Sequence, residues 1–262
     1  MIATSHKVKC VDIQAFWIAM TSSLPMFYKS AVPLDPGKHR NLSLRENFGL
    51  GFTKQTNAVP INLIEFPQVC HSYPIAFSPN EDTMPVAILG LRNNENLFVD
   101  DEGNWIEDSY VPAYIRRYPF IFKDDPDKEQ FILCVEEDLL EINGEARLFN
   151  DDGTPSPLAH NALEFCKSFQ NAVQETKAFS HALAESGLLV NREAIIERGK
   201  KHITFTGFRI IDEQKLAEIK DDEFLEWRNK GWLSALYAAL LSGAQWQRME
   251  RLLDKRLEQE GT

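Results

Sequence analysis

Apolar residues in the first half of the chain come in short runs broken by prolines and turn formers. After a change of texture near residue 155 they recur at helical spacing. Residues 73–77 (YPIAF) and 85–91 (PVAILGL) are continuous apolar stretches bounded by turn residues, the pattern of buried strands. Residues 130–135 (QFILCV) read as another strand, and the charged stretch 123–129 before them as an exposed loop. Residues 96–99 (NLFV) and 104–106 (NWI) flank Asp100-Asp101-Glu102-Gly103. Glycine supplies the positive φ that a tight reversal needs, so this segment predicts a β-hairpin. Residues 63–71 fit a short helix if Pro67 sits in its first turn.

The stretch 150–157 (NDDGTPSP) is the clearest punctuation. Ser156 is placed to cap a helix and Pro157 to begin it. Leu158, Ala162, Phe165, Phe169, Val173 and Ala182 then form an apolar stripe running toward Leu183, read here as a core face rather than a cofactor site. Gly187 is a natural stop. Residues 202–211 (HITFTGFRII) alternate and are rich in β-branched and aromatic side chains, which predicts a strand. Asp212 caps a predicted helix over 213–219, and 223–229 predict a further helical turn. Residues 232–258 are strongly helical in pattern, with Gly243 a weak point. The charged end of that segment (MERLLDKRLEQE) faces solvent while its apolar face packs on the domain; a homodimer contact through this helix is the alternative. The expected fold class is α+β: a β-rich N-terminal half with hairpins, followed by a mainly helical C-terminal half packed on it. Residues 1–25 read as an N-terminal extension and 26–262 as a single domain.

Composition narrows the classes. A chain of 262 residues, 44% hydrophobic and 26% charged, can bury a substantial core and is not a disordered polymer. The formal net charge of -11 argues against general nucleic-acid binding, which needs a basic surface to displace counterions. No run of about 18 apolar residues occurs, so no membrane span is expected. Residues 15–27 (AFWIAMTSSLPMF), preceded by Lys7 and Lys9, have the texture of a signal peptide without a clear cleavage site. They are read as an N-terminal helix or strand bent at Leu24-Pro25, with export as the alternative. Cys10, Cys70, Cys134 and Cys166 are widely spaced and form no disulfide framework. Free thiols suit a reducing compartment, so a cytoplasmic location is expected.

Motifs for phosphate loops, zinc proteases and serine hydrolases are missing, and the six histidines have no ligand-like spacing. Neither a metal nor a cofactor is expected. The turns VDDEGNW and FNDDGTP lack the full pattern of a calcium loop. Cys70-His71 is a poor nucleophile pair, because contiguous residues rarely form the thiolate–imidazole contact. What stands out is Arg116-Arg117 among Tyr114, Tyr118 and Phe120. A guanidinium grips a carboxylate or phosphate with two parallel hydrogen bonds and stacks on aromatic rings. Two readings stay open. In one, Arg92, Arg116 or Arg117 pairs with Glu95, Asp100 or Asp108 and ties the hairpin down. In the other, Arg92, Glu95, Tyr114, Arg116, Arg117 and Tyr118 contribute to a surface for an anionic small molecule, a peptide or a protein partner.

The chain also resembles a family. The residues that carry this are Met26-Phe27-Tyr28-Lys29, Val32-Pro33-Leu34, His39, Val59-Pro60, Glu65-Phe66 and Tyr73-Pro74-Ile75. They continue through Pro85-Val86-Ala87-Ile88-Leu89-Gly90-Leu91-Arg92, Glu95-Asn96-Leu97-Phe98-Val99-Asp100, Gly103, Trp105 and Arg116-Arg117-Tyr118-Pro119-Phe120. Leu148-Phe149, Gly153, Ser156, Ile211-Asp212-Glu213, Lys215-Leu216 and Leu240-Leu241-Ser242 complete the set. Together they are similar to the bacterial SapC-like proteins, named for an association with surface-layer gene systems. The resemblance carries over no catalytic residue. It implies an accessory or binding protein, with an enzyme or enzyme subunit and a surface-layer-associated component as alternatives.

Overall fold

The computed structural model describes residues 9–12, 25–125, 130–198 and 201–260. The expectations for residues 15–24 and for 126–129 lie outside these; the first part of the predicted loop, residues 123–125, is strand instead, paired with residues 130–132. The described strands are β1 (Lys9–Asp12), β2 (Ala31–Pro33), β3 (Leu42–Leu44), β4 (Ala58–Pro60), β5 (Ile75–Phe77), β6 (Pro85–Ile88), β7 (Phe120–Asp125), β8 (Gln130–Glu136), β9 (Leu140–Ile142), β10 (Ala146–Arg147), β11 (Leu189–Arg198) and β12 (Lys201–Ile211). The α-helices are α1 (Pro36–His39), α2 (Phe66–Val69), α3 (Ala113–Arg116), α4 (Pro157–Glu185), α5 (Glu213–Ala217), α6 (Asp221–Asn229), α7 (Leu233–Leu241) and α8 (Gln245–Glu260). This is the expected α+β arrangement, with the β11–β12 hairpin as the strand-rich interlude of a mainly helical second half.

The main sheet runs β1-β12-β5-β6-β4, with β11 paired to β12. β1 joins it in parallel, Cys10 opposite Thr204, so four residues of the predicted N-terminal extension form a strand of this sheet. Two three-stranded sheets, β10-β3-β9 and β2-β8-β7, make a second layer. The short apolar runs became β5 and β6, which pair Ala76 with Val86 and are buried on both faces. Their continuous rather than alternating pattern reflects that double burial.

The helices begin and end on the residues that the sequence marks. The Ser156 side chain accepts from the Ala159 N–H at 3.3 Å, Pro157 opens α4, and Gly187 follows the end of the helix at φ +71°. Asp212 caps α5 by accepting from the Gln214 and Lys215 N–H groups. The predicted C-terminal helix is broken into α7 and α8 by a 3-10 turn, Ser242–Ala244, centred on Gly243. The predicted hairpin is a tight turn with a single bridge, Val99 to Trp105, and Gly103 sits at φ +87°.

α4 extends 29 residues, about 44 Å, and joins two cores. Its C-terminal half sets Phe179 and Leu183 into the large core against the main sheet and α6–α8. Its N-terminal end sets Cys166 into the smaller core with Phe120, Val135 and Leu148. Between the two, Phe165, Phe169 and Val173 are only half-buried and join neither core. The deeply buried positions of α4 are Ala159, Cys166, Thr176, Phe179, Ser180 and Leu183; of the predicted stripe, Leu158 and Ala162 pack on the smaller core and Ala182 and Leu183 on the large one, while its middle stands back. Helical spacing identifies an apolar face but not the wall it meets, and the middle of this face borders open cavities. Among the described residues, no helix is long and apolar enough to cross a membrane, and no cluster of three metal-ligating side chains forms.

Candidate functional site

α3 is a single turn, too short to persist by its own hydrogen bonds. A buried carboxylate holds it from outside. Glu65 Oε1 accepts from the Ala113 N–H at 2.7 Å and from the Tyr110 hydroxyl at 3.1 Å, while Oε2 accepts from the Asn62 N–H at 2.8 Å. Glu65 therefore fastens the start of α3 to the turn at Asn62. Burial pushes its carboxyl pKa above the usual range, against the opposing pull of these donors and of Arg116.

The two adjacent arginines leave α3 in different directions. Arg116 is exposed and satisfied: Nε donates to the Val111 carbonyl at 3.0 Å and Nη2 to the Tyr110 hydroxyl at 2.9 Å. Its guanidinium also lies 5.4 Å from the ring centres of Tyr110 and Phe165. Arg117 turns inward, half-buried, with its guanidinium 4.5 Å from the Phe169 ring centre, 4.7 Å from Tyr114 and 5.8 Å from Tyr28. Its Nε is buried without a hydrogen-bond partner. Among the described residues no carboxylate pairs with it. The rings compensate the cation in part, since each presents a negative face.

Arg117 lines a cavity of about 370 Å³ between α4 and the wall formed by β4 and the start of β6. Phe169, Val173 and Ser180 border it from α4, and Ile61 and Met84 from the facing wall. Ser180 Oγ is a second buried polar atom without a partner. Asp82 and Lys177, both exposed, stand at the rim. Cys166 is close enough to Arg117 to feel its charge, yet burial dominates and pushes the thiol up to about 11. Burial likewise raises the Tyr28 and Tyr114 phenols, with Arg117 opposing. These groups are neutral at physiological pH, so none of them offsets the charge of the guanidinium.

The other predicted site residues lie elsewhere or serve packing. Arg92 donates from Nε to Glu95 Oε1 at 2.8 Å and from Nη1 to Glu260 Oε2 at 2.8 Å. This clasp fixes the end of α8 to the turn after β6, and neither Arg92 nor Glu95 borders the Arg117 cavity. Tyr118 stacks on Phe52 at 4.2 Å between ring centres and joins the aromatic packing around Tyr28 and Phe48. A larger open groove of about 900 Å³ lies between α4 and the region of Trp232, but its basic side chains have partners: Lys230 pairs with Glu226 at 2.6 Å, and His181 lies 3.4 Å from Glu185. Sequence reasoning missed Tyr28 and Phe169 as neighbours of Arg117, and Val173 and Ser180 as lining of its cavity. Phe169 and Val173 were signalled by the apolar stripe, which served equally well as a core pattern; Tyr28 stood only among the residues of the family resemblance, and Ser180 gave no signal.

No curated protein and no solved structure matches the chain. The model of the SapC family matches residues 34–249, a span that includes β4, β6, α3 and all of α4. With most of its length covered, the chain belongs to the SapC family.

Proposed function

We propose that this protein is a non-catalytic binding protein whose ligand is a small organic anion held at Arg117. The carrying observation is the Arg117 guanidinium itself, caged by Tyr28, Tyr114 and Phe169 beside a cavity of about 370 Å³, with no carboxylate partner among the described residues. A cavity of this size falls within the range of small-molecule sites. Electrostatics supports the reading. The chain carries a net charge of -11, yet the cavity lining sets Arg117 and Lys177 against Asp82 alone. A carboxylate brought to a poorly hydrated guanidinium forms charge-assisted hydrogen bonds worth about 1.5–3 kcal/mol each.

The surrounding chemistry supports binding over catalysis. A thiol pushed up to about 11 stays protonated at neutral pH, so Cys166 is a poor nucleophile. Glu65, the nearby buried carboxylate, is committed to two backbone N–H groups. Three free, buried cysteines, Cys70, Cys134 and Cys166, support a reducing compartment such as the cytoplasm as its location.

The test is thermal unfolding of the purified protein against a panel of carboxylates, phosphates and sulfates. A ligand at a hundred times its Kd stabilises the folded state by about 2.7 kcal/mol, which a thermal shift resolves. At least one organic anion should raise the Tm of the wild type and not that of Arg117→Met, whose own Tm should stay close to wild type. Finding no shift across the panel, or an equal shift in Arg117→Met, would overturn the proposal.

A further inference from the structure

The shape of the Arg117 cavity restricts its ligand further. On α4 the lining runs from Phe169, which stacks on Arg117, through Val173 to Ser180. That is three turns of one helix face, about 16 Å at 1.5 Å per residue. A cavity of about 370 Å³ along that face has room for one extended polymethylene chain of the same length. The guanidinium stands at one end. The other end is polar, with Asp82, Lys177 and Ser180.

Most main-chain donors of the facing wall are absent or already used. Pro25, Pro60 and Pro85 line the cavity and lack an N–H. The Ile61 N–H donates to the Pro85 carbonyl, the Asn62 N–H to Glu65 and the Met84 N–H to Asp82. The α4 wall is helix interior, whose N–H groups are bonded within the helix. An extended peptide needs main-chain partners along its length, and its unpaired amides would make entry costly. A phosphate favours a helix N-terminus or a nest of backbone N–H groups, and the α3 N-terminus is already occupied by Glu65. A planar carboxylate suits a single guanidinium whose faces are covered by rings and whose Nε is left to donate.

We propose that the cavity takes an extended acyl chain ending in a carboxylate, with the carboxylate at Arg117 and the methylenes along Val173, Ile61 and Met84. This rests on the binding-protein reading above. Calorimetric titration of the whole protein with butanoate, hexanoate, octanoate, decanoate and dodecanoate, below micelle-forming concentrations, tests it. Each added methylene should tighten binding about threefold to fourfold until the chain reaches the polar end of the cavity, where the gain should stop. Decylamine, benzoate and an acidic pentapeptide should bind at least tenfold more weakly than decanoate. Val173→Trp, at a half-buried position, should move the plateau to shorter chains while hexanoate binding persists.

The outcomes separate the two claims. If benzoate or the peptide binds in an Arg117-dependent way with no dependence on acyl length, the acyl inference fails and the anion-binding reading stands. If no carboxylate binds but an organic phosphate or sulfate does so through Arg117, only the acyl inference fails; if no organic anion binds, or binding is the same in Arg117→Met and Arg117→Lys as in wild type, both fail.

Discussion

Glu65 is the residue on which the walls of the Arg117 cavity depend, and replacing it should reveal this. Glu65→Ala removes the acceptor for two buried backbone donors, the Asn62 N–H at 2.8 Å and the Ala113 N–H at 2.7 Å. Each is a hydrogen bond to a charged or partly charged group, worth about 1.5–3 kcal/mol, and each donor would be left inside the protein. The Tyr110 hydroxyl is half-buried and can turn to water, so it adds little. Against the loss stands the removed cost of holding a carboxylate out of water. The net expectation is a loss of about 3 kcal/mol in urea unfolding at pH 7, with an unchanged m-value. Glu65→Gln keeps one acceptor oxygen and should lose about half as much. A loss below about 1 kcal/mol for Glu65→Ala would refute the reasoning, because buried N–H groups would then have found other partners.

The same residue gives a dependence on pH. Its folded pKa is raised by burial above the ordinary 4.5. The native state thus holds the proton at pH values where the unfolded chain has released it. The stability this proton confers is fully present below the unfolded pKa and is lost as pH rises through the folded one. Wild-type stability should therefore fall across that window, and the fall should be absent in Glu65→Gln. A wild type that instead gains stability from this group over the same window would show that its donors outweigh burial.

Arg92→Ala should destabilise the protein by about 3 kcal/mol, because it leaves the buried Glu95 carboxylate facing Glu260 without its cation. It should leave anion binding at Arg117 intact, and a loss of binding at unchanged stability would move Arg92 into the ligand site. Thiol titration of the denatured protein should count four free cysteines. In the native protein Cys134 and Cys166 should react slowly, since burial raises both thiols, and rapid native labelling of either would contradict their packing.

Local signals in the sequence were reliable where the physics is local. Ser156 and Asp212 cap helices through bonds to residues two or three positions away, and Pro157 opens its helix where no N–H is needed, so their neighbours in sequence decide their roles in space. The Arg92–Glu95 pair is of the same kind, three residues apart. Glu65 is not, since its partner Ala113 lies 48 residues further on. A carboxylate inside a short apolar segment gave no sign that it fastens a second helix.

The arginine pair marks the limit most sharply. Arg116 and Arg117 share composition, charge and neighbours in sequence, and the structural and binding readings applied equally to both. Successive positions on a helix point about 100° apart, so one turn of α3 separates them into an exposed arginine bonded to Val111 and Tyr110 and an inward one with an unpartnered Nε. Whether a cation lacks a partner is decided by where every carboxylate in the fold ends up, including those far away in sequence. The apolar stripe of α4 poses the same problem in reverse: Phe169 and Val173 look like core because nothing local reveals that their wall stands back. A cation with no carboxylate partner among the described residues and an unfilled apolar face, each ordinary alone, meet in one cavity, and their meeting is the ground for proposing a ligand there rather than a packing defect.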